Sequence, residues 1–206
     1  MNKEFDNEAY THKKYVIDKE GGYQSYDTIF KHLKIGGNLL DIGCGDGYFL
    51  EKYNKYFFYM KGIEMSKVAV KLCQEKKLNV SLSTIEEFNT FNQFDNILMI
   101  DVLEHVNNYL EVLDKVNELL SNKGRLIIVV PNPKGLWVRL NLEENPVLDP
   151  AHVYCPEYKI LKKALKKKFK LIKSRGTGRL KYLPRLSMGM MFIVQKRKDS
   201  ILGDSE

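Results

Sequence analysis

The sequence predicts an α/β fold in which a seven-stranded, mostly parallel sheet carries helices on both faces. Short apolar runs alternate with helical periods along the chain, a pattern typical of parallel strands joined by crossover helices. The segment NLLDIGCGDGYFLEKY, residues 38–53, joins the first apolar run to a helical period through three glycines. Two further runs follow the last helical pattern with no helix between them, which predicts an antiparallel C-terminal hairpin.

The elements can be placed in order along the chain. The predicted strands cover 38–42, 57–63, 78–82, 94–100, 125–130, 170–174 and 189–197. The predicted helices cover 23–34, 47–54, 67–77, 108–121 and 157–168. Asp46, Ser66 and Pro156 are suited to begin three of these helices. On the last helix Ile160, Leu161, Ala164 and Leu165 form one apolar face and the lysines form the other.

Composition favours one domain. At 206 residues and 44% hydrophobic content, the chain can bury one sizeable core but not two. No apolar run reaches the length of a membrane span, and the N-terminus lacks the pattern of a signal peptide, so we expect a cytoplasmic protein. Cys44, Cys73 and Cys155 have neither the spacing of a metal site nor that of a disulfide framework.

The net charge of +7 is unevenly distributed. Residues 1–155 hold 18 Lys and Arg against 22 Asp and Glu, whereas residues 156–198 hold 15 against 1. This basic third could be a solvated helix face in a lysine-rich protein. It could equally be a binding patch for an anionic substrate, a nucleic acid or a membrane surface.

The glycine segment favours a cationic ligand. Gly43, Gly45 and Gly47 allow a tight turn and close approach of a ligand to the backbone, but their spacing departs from the GxGxxG of dinucleotide sites. A pyrophosphate prefers bare amides, whereas here Asp41 and Asp46 lie beside the glycines. S-adenosylmethionine carries a sulfonium, an ammonium and one carboxylate, so neighbouring acids would stabilise it.

Three later segments complete a family pattern. They are GIEMS at 62–66, FDNILMIDVLEHV at 94–106 and LLSNKGRLIIVVPNP at 119–133. With the glycine loop, their order and spacing resemble the class I S-adenosylmethionine-dependent methyltransferases of small-molecule type, which implies a Rossmann-like sheet. DVLEHV is similar to the corresponding segment of quinone-biosynthesis O-methyltransferases. The single domain, residues 1–206, would then comprise a cofactor core at 22–133, an acceptor lid at 134–155, and the last helix and strands at 156–198.

The resemblance also implies which residues bind the cofactor. Asp41, Gly43 and Gly45, with Cys44 in the same loop, would contact the methionine part of S-adenosylmethionine. Glu64 would accept both ribose hydroxyls, and Met65 would pack on the adenine. Thr84 stands where the family commonly has an acid, so the Ile85 backbone is the expected adenine contact. The alternatives are that Glu64 is only an exposed acid at a strand end, and that Met65 only fills space in the core.

Candidate catalytic residues follow strand four and precede the last helix. Asp101 is expected close to the methyl donor, with His105 one helical turn further on as the candidate general base. His152 is a candidate second base or acceptor-binding group, or else a loop histidine bonded to a carbonyl. In the quinone enzymes the residues matching Asp101, Glu104 and His105 are linked to a divalent metal. Since the Glu-His pair also occurs without metal, we predict no metal site here.

The loop and the N-terminus add aromatic and aliphatic candidates. In the loop, the candidate walls of an apolar acceptor site are Trp137, Leu140, Leu142 and Val147, which could instead simply pack the loop onto the sheet. Near the N-terminus, the residues that could cover the cofactor are Tyr10, Tyr15 and Tyr23.

We predict methyl transfer to an oxygen, nitrogen or carbon of a small metabolite, anionic or apolar, and leave the oligomeric state open. The alternatives are a nucleic-acid methyltransferase that uses the basic C-terminal third, and a non-catalytic cofactor-binding protein that regulates or scaffolds a partner. A further alternative is a peripheral enzyme whose helix at 157–168 rests on anionic lipid.

Overall fold

The computed structural model describes residues 26–141, 145–177 and 180–197. Tyr10, Tyr15, Tyr23 and Leu142 lie outside the described residues. Within these ranges, none of the helices has the length and apolar character needed to cross a membrane.

Seven strands of the described chain form one sheet in the order β3-β2-β1-β4-β5-β7-β6. They are β1 Asn38–Ile42, β2 Tyr59–Glu64, β3 Val80–Leu82, β4 Phe94–Ile100, β5 Leu120–Pro131, β6 Phe169–Gly176 and β7 Gly189–Lys196. The first five strands in this order are parallel to one another, and β7 pairs antiparallel with both β5 and β6. The predicted mixed sheet with a C-terminal antiparallel pair is therefore confirmed.

Six α-helices surround the sheet within the described ranges. They are α1 Tyr26–Phe30, α2 Tyr48–Tyr53, α3 Lys67–Glu75, α4 Tyr109–Leu119, α5 Leu136–Arg139 and α6 Tyr158–Lys168, with single 3₁₀ turns at Asn54–Tyr56, Leu103–His105 and Pro146–Leu148. Ser66 begins α3 as predicted, since its hydroxyl accepts the Ala69 N–H at 3.3 Å. α6 begins one residue later than Pro156 suggests, with Glu157 at its N-cap.

Distant contacts decide two features that the sequence pattern misplaced, the end of one helix and the position of one side chain. The helix predicted to run to residue 121 ends at Leu119, since Leu120 already pairs with Phe94 of β4. The ladder then shifts register, and Arg125 pairs with Asn96. Ile160, placed on the apolar face of α6 by its period, is instead 44% exposed, while Leu161 and Leu165 are fully buried.

Apolar side chains cover both faces of the sheet, as parallel strands require. One layer packs β4 and β5 against α4 and α6, and includes Ile97, Met99, Leu113, Val116, Leu161 and Leu165. The other packs the same strands against α1 and α2, and includes Leu39, Leu98, Ile127, Ile29, Phe49 and Leu50. The central strands are thereby held rigidly from both sides.

The chain order creates a crevice between β1 and β4. From β1 the chain builds outward through β2 and β3, then returns to place β4 on the other side of β1. The connections from β1 and β4 therefore leave in opposite directions, which opens a ligand crevice at the carboxyl ends of these strands. The glycine loop follows β1 and Asp101 follows β4, so both lie at this edge.

Gly62 of β2 packs directly behind the glycine loop. A Cβ added there would lie 2.7 Å from Cys44 Sγ, 2.8 Å from Leu50 Cδ1 and 2.9 Å from Val80 Cγ2. We expect Gly62→Ala to lower the free energy of unfolding by roughly 1–3 kcal/mol through overpacking. Thermal or urea unfolding followed by circular dichroism measures this loss. The exposed substitution Lys71→Ala on α3 is the control and should change stability by less than about 0.5 kcal/mol.

Candidate functional site

The three glycines after β1 all adopt left-handed backbone conformations. Their φ angles are +68° at Gly43, +57° at Gly45 and +76° at Gly47. A Cβ on Gly43 would also lie 2.4 Å from Val102 Cγ2, in the segment that follows β4. The backbone N–H of Gly43 donates to the Ile63 carbonyl at 2.8 Å, which ties the loop to β2. The loop therefore needs glycine for both its turn and its close packing.

Glu64 holds the glycine loop from the end of β2. Its carboxylate accepts the N–H of Gly45 at 2.9 Å and the N–H of Ser66 at 2.8 Å, and the residue is 5% exposed. The interpretation of Glu64 as an exposed acid is therefore wrong. A carboxylate offers about four acceptor positions, so two remain for a diol such as the ribose hydroxyls.

Asp41 is a second buried carboxyl beside the loop. It lies at the penultimate position of β1, opposite Gly62 in β2 and Leu98 in β4. Burial, reinforced by the neighbouring Glu64 carboxylate, raises the pKa of Asp41 to about 8. A cationic ligand would favour the ionised form and relieve this cost, so the residues fit the onium cofactor predicted from the sequence.

Asp46 has a structural role at the start of α2. Its carboxylate accepts the Tyr48 N–H at 3.3 Å from one position before the N-cap, Gly47. Lys76 Nζ contacts the same carboxylate at 3.4 Å and the Asp46 carbonyl at 3.0 Å. The expectation that Asp46 caps α2 is wrong, because Gly47 occupies the N-cap; Asp46 supports the first turn from one position further out. Much of its charge is offset by Lys76 rather than left for a ligand.

The residues expected near the adenine differ in exposure. Met65 is 45% exposed directly after Glu64, so it does not fill space in the core. Ile85 is 3% exposed, and the Thr84 hydroxyl accepts the Glu87 N–H at 3.3 Å. Within the loop, the Cys44 and Cys73 thiols both lie against the Gly45 carbonyl, at 3.8 and 3.2 Å. The assignment of Met65, Thr84, Ile85 and Cys44 to the cofactor stays a prediction.

Asp101 directs the chain out of β4. It is exposed and has φ of +53°, a left-handed value that is uncommon outside glycine, while its N–H still donates to the Val129 carbonyl at 2.9 Å. The expected helical turn after it is a tighter 3₁₀ turn, Leu103–His105. This turn buries Glu104 and carries His105 toward the segment that follows β5.

The structure brings the two candidate histidines together across 46 intervening residues. The rings of His105 and His152 meet edge to face, with centroids 4.8 Å apart. His105 Nδ1 lies 2.9 Å from the Ala151 carbonyl, so Nδ1–H donates and Nε2 is left with its lone pair. Burial lowers the pKa of His105 below its usual 6.5, which keeps the ring neutral at pH 7.

The lid segment is anchored at the same turn, a feature with no sequence signal. The N–H groups of Val153 and Tyr154 both donate to the Glu104 carbonyl, at 2.8 and 3.2 Å. Tyr154 stacks on Tyr109 of α4 with ring centroids 5.6 Å apart. At the other end of the lid, the buried Asn132 side chain donates to the Ser187 carbonyl at 2.8 Å. These partners are far apart in sequence, so only the folded chain reveals them.

Glu104 is the most deeply buried acid of this group. It is 1% exposed, one of its carboxyl oxygens has no hydrogen-bond partner among the described residues, and burial and the nearby Asp101 raise its pKa well above the usual value. Ligand atoms of Glu104, His105 and His152 lie within 4.8 Å of one another. This set could hold a metal and differs from the sequence set, since His152 takes the place of Asp101. The prediction of no metal stays untested.

The apolar lid residues are mostly on the surface. Leu140 and Val147 are 54% and 55% exposed, so they do not pack the loop onto the sheet, and Trp137 is half-buried. Cys155, by contrast, is buried, and its thiol lies 3.5 Å from His152 Nδ1. Cys155 is therefore a neighbour of the candidate site that the sequence reasoning missed.

A family model described as a methyltransferase domain matches residues 20–169, most of the chain and all of the elements described above from α1 to α6. This chain is a member of the class I S-adenosylmethionine-dependent methyltransferases. The assignment confirms the predicted family and its cofactor, S-adenosylmethionine.

Curated relatives match about half of this methyltransferase. An uncharacterized protein of Methanocaldococcus jannaschii is 35% identical over 98 residues, 48% of this chain and 42% of that protein. (S)-Coclaurine N-methyltransferase of Papaver somniferum is 30% identical over 47% of this chain and 30% of its own length. The ubiquinone biosynthesis O-methyltransferase of Rhodopseudomonas palustris is 29% identical over 47% and 41%. The methyltransferase therefore spans less than half the length of these relatives.

Solved structures share its fold over more of the chain. The N-methyltransferase NodS of Bradyrhizobium japonicum, in complex with S-adenosylhomocysteine, has a TM-score of 0.60 at 18% identity and covers 79% of this chain and 80% of its own. An S-adenosylmethionine-dependent methyltransferase of Clostridium acetobutylicum has a TM-score of 0.71 at 14% identity and covers 91% and 99%. At this identity the likeness supports the fold alone.

The position of Glu64 predicts its contribution to cofactor affinity. We expect Glu64→Gln to weaken binding of S-adenosylhomocysteine at least roughly tenfold, because the Gln amide cannot accept from both loop N–H groups and both hydroxyls. Isothermal titration calorimetry measures the change. Glu51→Gln, which removes a half-exposed carboxylate on α2, is the matched control and should bind normally. Unchanged affinity in Glu64→Gln with retained fold would contradict the assignment.

The raised pKa of Asp41 predicts proton release on cofactor binding. At pH 7 most Asp41 carboxyls are protonated in the free protein, since the pKa is about 8. A cationic cofactor lowers this pKa and expels the proton, so affinity should increase as the pH rises toward 8. Calorimetry at pH 7 in two buffers of different ionisation enthalpy measures the proton. We expect proton release on cofactor binding by the unchanged protein and none by Asp41→Asn. Equal binding heats in both buffers for the unchanged protein would refute proton release from Asp41.

Proposed function

We propose that this methyltransferase transfers the methyl group of S-adenosylmethionine to an oxygen, nitrogen or carbon of a small metabolite. The acceptor would lie between the lid, residues 134–155, and the turn at 101–105. The observation that carries the proposal is the His105–His152 pair, which lies at the edge of the sheet that also bears Asp41 and Glu64.

The chain's residues would hold the donor at three points. Asp41 and the glycine loop face its cationic methionine part, Glu64 accepts the ribose hydroxyls, and Met65 and the Ile85 backbone border the adenine. Glu64 is already oriented by Gly45 and Ser66, so little rearrangement is needed on binding. When bound, S-adenosylmethionine supplies an electrophilic methyl group on a sulfonium leaving group.

His105 is the proposed general base. In-line displacement needs an aligned acceptor and, for a hydroxyl or N–H acceptor, a group that takes its proton. The Ala151 carbonyl fixes the ring proton of His105 on Nδ1. Nε2 therefore takes the proton from the substrate's hydroxyl or N–H group while that oxygen or nitrogen bonds to the methyl group. The depressed pKa of His105 keeps this nitrogen unprotonated at neutral pH.

His152 and Asp101 have supporting roles in this proposal. His152 meets the edge of His105 and contacts Cys155 through Nδ1, which fixes its ring beside the acceptor space. Asp101 leaves β4 in a left-handed conformation and directs the turn that positions His105. We assign His152 to binding the acceptor and Asp101 to the space beside the donor.

The base assignment predicts both a rate and a pH profile. We expect His105→Ala to lower kcat by roughly 100-fold or more, while the affinity for S-adenosylhomocysteine is unchanged. In the unchanged enzyme saturated with S-adenosylmethionine, where Asp41 is already ionised, kcat/KM for the acceptor should fall only below about pH 6.5, because the active form is the neutral ring and burial lowers the pKa of His105 from 6.5. His32→Gln, at a half-buried histidine outside this site, is the matched control. Full turnover in His105→Ala at pH 7 would refute the base role.

The acceptor class can be tested by fractionating cell extract by size. S-adenosylhomocysteine formation is measured with a small-molecule fraction and with an RNA fraction. We expect His105-dependent turnover with the small molecules only. Turnover confined to the RNA fraction would replace the proposal with nucleic-acid methylation.

A further inference from the structure

One side of the methyltransferase is a continuous basic face built on α6. Lys159, Lys162, Lys163, Lys166, Lys167 and Arg185 line a groove of about 410 Å³ together with Tyr158. Leu161 and Leu165 of the same helix are fully buried against the sheet, which turns the lysines outward. Residues 158–197 contain 14 Lys and Arg and no Asp or Glu.

The acids near this face do little to offset it. Glu157, at the N-cap of α6, pairs with Lys134, and Asp114 of α4 pairs with Lys168. Lys162 Nζ donates to the Tyr158 hydroxyl at 3.0 Å, and the Arg185 guanidinium lies 5.9 Å from the Tyr158 ring centroid. Among the described residues, no acid pairs with Lys159, Lys162, Lys163, Lys166 or Lys167 of the groove, so their charge faces whatever approaches α6.

Exposed apolar side chains lie at the site edge of the sheet, and two of them, Tyr182 and Leu183, share the loop between β6 and β7 with Arg185 of the basic groove. We call them the apolar rim; they are Leu140 (54%), Val147 (55%), Leu148 (78%), Val153 (53%), Tyr182 (84%) and Leu183 (52%). They belong to the lid and to the loop between β6 and β7. Both segments leave the sheet where Pro131 pairs with Gly189, at the carboxyl end of β5. The Leu136 N–H donates to the Leu186 carbonyl at 2.8 Å, which joins the two segments.

We propose that the basic face and the apolar rim together bind an anionic lipid surface. Lysines near such a surface are attracted by the headgroup phosphates, while short apolar side chains enter the boundary between headgroups and acyl chains. Because four of the six rim residues belong to the lid, this orientation brings the candidate acceptor site to the lipid. An apolar or lipid-borne acceptor could then reach the site without crossing water.

The apolar rim decides between lipid and nucleic acid. A phosphate backbone would use the same lysines, and bases would stack on aromatic side chains such as Tyr182. Five of the six rim residues are aliphatic, and they are costly to expose to water without a partner. A lipid surface uses both the charge and the aliphatic side chains. The inference needs only the fold and its surface, so it does not depend on the proposed methyl transfer.

Vesicle co-sedimentation of the full chain tests the electrostatic part. We expect binding to vesicles of phosphatidylcholine with phosphatidylglycerol, weak binding to phosphatidylcholine alone, and a decrease as salt is raised. The double variant Lys163→Gln, Lys167→Gln should partition roughly 30-fold less strongly to the anionic vesicles. The control Lys55→Gln, Lys71→Gln removes the same charge from α3 and the turn before β2, and should bind like the unchanged chain.

A second pair of variants tests the apolar part. Leu148→Ser, Leu183→Ser should weaken binding to the anionic vesicles and lower its persistence at high salt. Phe91→Ser, at a fully exposed aromatic on the connection between β3 and β4, is the control and should have no effect. Circular dichroism and S-adenosylhomocysteine affinity, measured on every variant, confirm that the fold and the cofactor site are intact.

Three results would overturn the proposal. The first is equal binding to neutral and anionic vesicles, and the second is unchanged binding in both pairs of variants. The third is displacement of the chain from anionic vesicles by a short RNA at equal phosphate concentration, which would assign the basic face to nucleic acid. Normal cofactor affinity alongside any of these leaves the methyl-transfer proposal unaffected.

Discussion

The site depends on one carboxylate that joins two neighbouring strand ends. Glu64 accepts N–H groups from Gly45 in the loop after β1 and from Ser66 at the start of α3. These bonds hold the left-handed turns of the loop in a fixed position and orient the carboxylate without using all its acceptor positions. Bonds from Gly43 to Ile63 and the packing of Gly62 against Cys44 reinforce the same junction. The binding edge is therefore preorganised by the protein's own backbone.

The same junction carries an electrostatic cost, because it buries two carboxyl groups. Asp41 and Glu64 are both nearly inaccessible to water, and burial, reinforced by the Glu64 carboxylate, raises the pKa of Asp41, so it is costly to ionise both carboxyls there. Asp46 is also buried, but Lys76 offsets its negative charge. A positively charged ligand beside Asp41 and Glu64 would offset this cost, as the cofactor is proposed to do.

Local patterns were sufficient for the parts of the protein that local chemistry decides. Strand periods predicted the sheet and its hairpin, and the acids at the ends of β1 and β2 predicted the edge at which the cofactor is proposed to bind. The boundary of α4, the outward position of Ile160 and the contact between His105 and the Ala151 carbonyl were not predictable in this way. Each depends on a partner far away in sequence. Where that partner is a backbone carbonyl, any residue type can supply it, so the sequence gives no signal for the contact.

The anchoring of the lid has a consequence for the timing of catalysis. The carbonyl that fixes the tautomer of His105 belongs to Ala151, in the lid itself, and the Glu104 carbonyl binds the next residues of that segment. If the segment lifts to admit a molecule, the imidazole loses the partner that keeps its proton on one nitrogen and can exchange both forms with water. In the proposed mechanism, basicity at Nε2 of His105 would then be restored only on closure, so that admission of the acceptor and abstraction of its proton would be interlocked.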